Sequence, residues 1–74
     1  MMYEEKLKND ILVYKDYRYN NEFYLIYYND GRKLAEYYTL TEHLTTNVAG
    51  VQIEDMKIII EHLEEVKKWN IRKE

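Results

Sequence analysis

The stretch Glu22-Phe23-Tyr24-Leu25-Ile26-Tyr27-Tyr28-Asn29-Asp30-Gly31-Arg32-Lys33-Leu34-Ala35-Glu36-Tyr37-Tyr38-Thr39 decides the fold. Two aromatic, β-prone runs flank Asn29-Asp30-Gly31. An Asp-Gly pair in that setting is a strong hairpin signal, because a type I′ turn needs positive φ at both central residues. A two-residue turn at Asp30-Gly31 pairs Tyr28 with Lys33, Tyr27 with Leu34 and Ile26 with Ala35. It then pairs Leu25 with Glu36, Tyr24 with Tyr37 and Phe23 with Tyr38.

Upstream, Ile11 to Tyr19 reads as a further strand, with Ile11, Val13, Tyr17 and Tyr19 on one parity. Asn20-Asn21 follows, and asparagine tolerates the left-handed region well, so a second tight turn is expected there. The result is a three-stranded antiparallel meander over about 11–19, 22–29 and 32–40. One face carries Ile11, Val13, Tyr17, Tyr24, Ile26, Tyr28, Ala35 and Tyr37. The other carries Leu12, Tyr14, Phe23, Leu25, Tyr27, Leu34 and Tyr38, with Asp16, Arg18 and Glu36 among them. A sheet open to water on one side alternates apolar and polar residues. This one is apolar on both faces. If a turn is longer by one residue, the parity of one strand shifts and the faces are redrawn.

Downstream, residues 41–50 are expected to form a short helix or a loop. Thr41 is a good N-cap and Gly50 a natural stop, while Thr45, Thr46, Asn47 and Val48 are poor helix formers. An edge strand around Val48–Ile53 is the alternative. A clear helix spans about 53–71, where Ile53, Met56, Ile59, Ile60, Leu63 and Val66 form a stripe at helical spacing. Glu54 and Asp55 in its first turn and Lys67, Lys68 and Arg72 near its end complement the helix dipole. Ile58, His62 and Trp69 fall on the opposite side, where a solvated face would not present isoleucine and tryptophan together. Residues 1–10 are polar with a weak helical tendency.

The whole chain is therefore expected to be one α+β domain over residues 1–74. A domain this small buries only roughly 60% of its unfolded surface. It has no cysteine to staple it. Net charge is −3, spread evenly: residues 1–38 carry 6 basic and 7 acidic side chains, and residues 54–74 carry 5 and 6. The absence of a basic stripe weighs against nucleic acid as the partner. No apolar run approaches the ~20 residues of a membrane span. The charged start lacks the apolar core of a secretory signal, so a cytoplasmic protein is expected.

No catalytic constellation is legible. His43 and His62 lack Glu-x-x-His or His-Glu-x-x-His company, so neither a metal nor a cofactor is expected. The nine tyrosines all lie between Tyr3 and Tyr38. They can pack the core edge with their hydroxyls in water, anchor a protein partner, or stack bases. The glutamates Glu61, Glu64 and Glu65 read as solvated helix charge, or as footing for a basic partner. The expected contact set is Tyr24, Tyr28, Tyr37, Tyr38, Ile58, His62, Trp69, Glu61 and Glu65. In size and in its Tyr-, Ile-, Asn-, Lys- and Glu-rich composition the chain resembles small proteins of phages and mobile elements, many of which bind and modulate a host protein. The expected function is a non-enzymatic protein-binding module, an inhibitor or regulator, with a homodimer as another way to cover the surplus apolar surface. A small nucleic-acid-binding regulator using the Tyr-rich sheet is the alternative.

Overall fold

The turns set the register of this chain, and they are read here from a computed structural model. It describes the backbone of residues 2–46 and 50–72, and the side chains of 5–46 and 50–68. Among the described residues five strands form one antiparallel sheet: β1 (Met2–Lys6), β2 (Ile11–Arg18), β3 (Asn21–Tyr28), β4 (Lys33–Tyr38) and β5 (His43–Thr46). Their spatial order is their sequence order. One helix, α1 (Ile53–Arg72), follows. The architecture is α+β, with two more strands than the meander read from the sequence. The polar start is an edge strand and not a helix. Its connection to β2 is a short 3-10 turn over Lys8–Asp10, with Asn9 and Asp10 at positive φ. Within 41–50 the described part forms β5, the second edge, in place of a short helix or loop. Residues 47–49 lie outside the described residues.

The β2–β3 turn sits one residue earlier than expected. Tyr19 and Asn20 both take positive φ, as a type I′ turn requires, and Arg18 faces Asn21. Moving a turn by one residue slides the pairing by two, so Tyr14 faces Leu25 and every side chain keeps its face. A bulky L-residue at φ 53° is strained by about 1–2 kcal/mol, and Tyr19 is 89% exposed, so packing does not repay that strain.

The Asp30-Gly31 turn is a three-residue loop. Neither Asn29 nor Asp30 has positive φ; Gly31, at φ 96°, does. The Gly31 N–H donates to the Tyr28 carbonyl at 2.9 Å, and the Tyr28 N–H donates to the Arg32 carbonyl at 2.8 Å. Such a loop is one residue longer than the type I′ form. A β-bulge corrects the shift at once: Tyr27 faces Lys33, whereas Ile26 faces Ala35. From Ala35 onward the pairing is the one expected from the sequence. The bulge turns Leu34, expected on the far face, into the core beside Ala35.

α1 covers one face only. Ile11, Val13, Tyr24, Ile26, Leu34, Ala35 and Tyr37 meet Ile59 and Leu63 in a single buried cluster, with Ile58 and Val66 packed against it. The helix is turned by roughly 60° from the expected stripe, at ~100° per residue. Asp55, Ile59 and Leu63 are buried, while Ile53 is 77% exposed and Ile60 also faces outward. The cause is polar. The Asp55 carboxylate accepts from the Asn9 side-chain amide at 2.9 Å and from the Tyr28 hydroxyl. Pointing Asp55 at the sheet carries Ile58 and His62 inward and swings Ile53 and Ile60 out.

Candidate functional site: an aromatic sheet face

The face opposite α1 is built by strand alternation. It presents Leu12, Tyr14, Asp16 and Arg18 from β2, Phe23, Leu25 and Tyr27 from β3, and Lys33, Glu36 and Tyr38 from β4. No element formed by the described residues lies over it. Even so, Phe23 is only 6% and Leu25 only 9% exposed. Their neighbours cover them. Phe23 and Tyr38 face each other across β3 and β4 and stack, centroids 5.5 Å apart and planes within 11°. Tyr14 and Tyr27 are diagonal partners across β2 and β3 and meet edge to face at 5.8 Å. The Arg18 guanidinium stands over the Phe23 ring at 5.3 Å. The Tyr38 hydroxyl donates to Glu36 Oε2 at 2.6 Å, and Glu36 also pairs with Lys33. The rings thus stand in two pairs, Phe23–Tyr38 and Tyr14–Tyr27, on either side of Leu25, with Asp16, Arg18, Lys33 and Glu36 beside them.

Open clefts among the described residues cut into this face next to both ring pairs. One, about 340 Å³, lies between the β2–β3 turn and the β4–β5 loop and has Phe23 and Tyr38 in its lining. Another, about 320 Å³, lies at the opposite end between Leu12, Tyr14, Tyr27 and the Asn29–Gly31 loop.

The expected contact residues fall into separate places. Tyr24 and Tyr37 are buried under α1, and Tyr28 is half-buried there with its hydroxyl on Asp55. Ile58 packs on the core, and the His62 Nδ1 meets the Glu5 carboxylate on β1 at 3.0 Å. Glu61 and Glu65 are exposed on the outer side of α1, Glu65 with Lys68 at 3.6 Å. The Trp69 side chain lies outside the described residues. Of the eight whose side chains are described, Tyr38 alone belongs to the open aromatic face. Tyr14, Phe23, Tyr27 and Arg18 share that face and fall outside the expected contact set. Ring content does not separate the two faces in the sequence, because the face under α1 carries four tyrosines of its own, Tyr17, Tyr24, Tyr28 and Tyr37.

The electrostatics are local and structural. Hydrogen bonds from Tyr28 and then Asn9 hold the Asp55 carboxyl below the usual carboxylate range, against the opposing effect of burial. The same bond to Asp55, with burial, raises the Tyr28 phenol. The Arg32 backbone N–H, and then its side chain, lower Asp30 in the β3–β4 loop. Burial, and then Glu42, raise Tyr37. Glu42 raises Lys67 through a 2.8 Å ion pair that ties α1 to the β4–β5 loop. Among the described residues no group of three or more His, Asp or Glu side chains could hold a metal ion. No helix among them is long and apolar enough to cross a membrane. His43 stands exposed on β5, remote from the His62–Glu5 pair under the helix. No family model matches the chain, and no curated protein and no solved structure matches it.

Proposed function

We propose that this chain is a non-enzymatic protein-binding module that engages its partner through the aromatic face of the sheet. The observation that carries the reading is the grouping of Tyr14, Phe23, Tyr27 and Tyr38 on the face α1 leaves uncovered, with Arg18, Lys33 and Glu36 around them. Aromatic anchors with polar and charged groups beside them suit a protein contact surface. Tyrosine suits it, because it offers a large rigid area at little entropic cost. A domain of this kind acts by occupying a partner's surface, as an inhibitor or regulator does. The composition shared with small phage and mobile-element proteins fits that mode.

The test compares the wild type with the triple variant Tyr14→Ser, Tyr27→Ser, Tyr38→Ser as bait in the native host's extract. The expected result is a protein captured by the wild type and lost by a variant that keeps its circular dichroism spectrum. A partner held equally by both sinks the reading. Light scattering on the pure protein separates self-association from a foreign partner.

Rings on an open antiparallel sheet also suit base stacking, which supports a second reading as a small nucleic-acid-binding regulator. Against it stand the paired Lys33 and a net charge of −3. Titration with single-stranded and duplex oligonucleotides at two salt concentrations decides. Binding that ignores salt, or no binding, removes this reading.

A further inference from the structure

Two exposed side chains are unexplained by the fold. Tyr19 holds positive φ in the β2–β3 turn, where asparagine or glycine would sit without strain, and its ring reaches water on nearly every side. Leu40, in the β4–β5 loop, is 72% exposed. Both line the same cleft, over the Phe23–Tyr38 stack. Arg18 lines it too, and its guanidinium forms no ion pair among the described residues. The two acids nearest to it in sequence have other partners: Asp16 accepts from the Tyr17 backbone N–H at 2.8 Å, and Glu22, which also lines the cleft, accepts from the Tyr24 hydroxyl at 3.2 Å.

We propose that this cleft is the anchor of the protein-binding face, and that it takes an aromatic side chain of a partner segment flanked by an acidic residue. The inference rests on the protein-binding reading and adds the partner's chemistry to it. The ring of the partner lies against Tyr38 between Tyr19 and Leu40, with Phe23 as the covered floor, and its neighbouring carboxylate meets Arg18 in a charge-assisted pair. A single cation suits one carboxylate. A nucleic-acid strand recruits several cations, and this cleft offers one.

The experiment is amide chemical-shift mapping on the full chain with three blocked pentapeptides: phenylalanine between aspartates, phenylalanine between lysines, and alanine between aspartates. A short oligothymidylate is the fourth probe. The aspartate–phenylalanine peptide is expected to move Arg18, Phe23, Tyr38 and Leu40 and to bind about tenfold more tightly than its lysine counterpart. Arg18→Gln should bring that ratio to about one, while Lys57→Gln on α1 leaves it unchanged. Tyr19→Asn separates function from folding: it should raise the melting temperature by relieving the turn, yet weaken the peptide about threefold or more. A lower melting temperature for Tyr19→Asn, equal binding of the acidic and basic peptides, or tighter binding of the oligonucleotide overturns the proposal. Shifts confined to Tyr14, Leu25 and Tyr27 overturn the cleft while leaving the face-binding reading intact. Shifts nowhere on the face remove both.

Discussion

The two faces of the sheet reach similar burial by different means. Under α1, the aliphatic Ile11, Val13 and Ile26 lie wholly inside against Ile59. On the other side Phe23 and Leu25 are almost as well hidden, yet the rings and the guanidinium around them are the only cover among the described residues. The difference lies in what the covering groups do with their outer surfaces. A helix turns its polar side to water, so the covered face is closed. A tyrosine that seals a neighbour keeps its own ring half wet, so the open face stays adhesive.

That contrast can be broken by substitution. Ile59→Ala should do the most damage, because it opens a cavity where helix and sheet meet. The expected loss is about 2–5 kcal/mol, a large share of a small domain's stability, read by urea denaturation. Asp55→Ala should follow at about 1–3 kcal/mol, since it removes the bonds that the Tyr28 hydroxyl and the Asn9 amide make to a charged acceptor. The wild-type pH profile carries the sign of that contact. The Asp55 carboxyl is lowered in the fold, so its contribution is complete above an unfolded pKa of about 3.9 and disappears as pH falls through the lower folded value. The Tyr28 phenol is raised, so its contribution is complete below about pH 10 and is lost as pH rises through the higher folded value. Asp55→Asn should flatten the acid limb in a denaturation series from pH 2 to pH 7.

On the open face the effects shrink. Tyr27→Ala removes one edge-to-face pair and should cost about 0.5–1.5 kcal/mol beyond its area, while weakening partner capture far more. If it unfolds the protein as readily as Ile59→Ala, the two faces are not different in kind. The smallest effect belongs to Ile53→Ala, expected within about 0.5 kcal/mol of wild type. A loss as large as that of Ile59→Ala would restore the helix orientation read from the apolar stripe.

The central hairpin, the parity of β2 and β3 and the extent of α1 were all legible, because they rest on periodicity and on turn residues close in sequence. The extra residue in the Asn29–Gly31 loop was not, and neither was the bulge at Leu34 that cancels it. Each alone would have inverted a strand, and only together do they preserve the pairing of Phe23 with Tyr38. The edge strands were missed because Met2–Lys6 and His43–Thr46 are short and half polar, and their extended state comes from a neighbour's hydrogen bonds more than from their own pattern. The helix rotation was missed because periodicity counts isoleucines, whereas one carboxylate with two distant donors, Asn9 and Tyr28, outweighs the placement of Ile53. Each sheet face carries four rings, so the open ring set could be read only once α1 had been placed on the other face.

The unbroken sequence order of the strands has a kinetic consequence. Each strand pairs only with its neighbour in the chain, across connections of two to four residues, so no long loop must close before a contact forms. The sheet can zip outward from the central hairpin at the speed of local closure, fast for a mostly β protein. In that order of assembly α1 docks onto the finished sheet, and Ile59 with Leu63 closes the core. Stopped-flow refolding should show Ile59→Ala mainly accelerating unfolding, with the folding rate nearly unchanged.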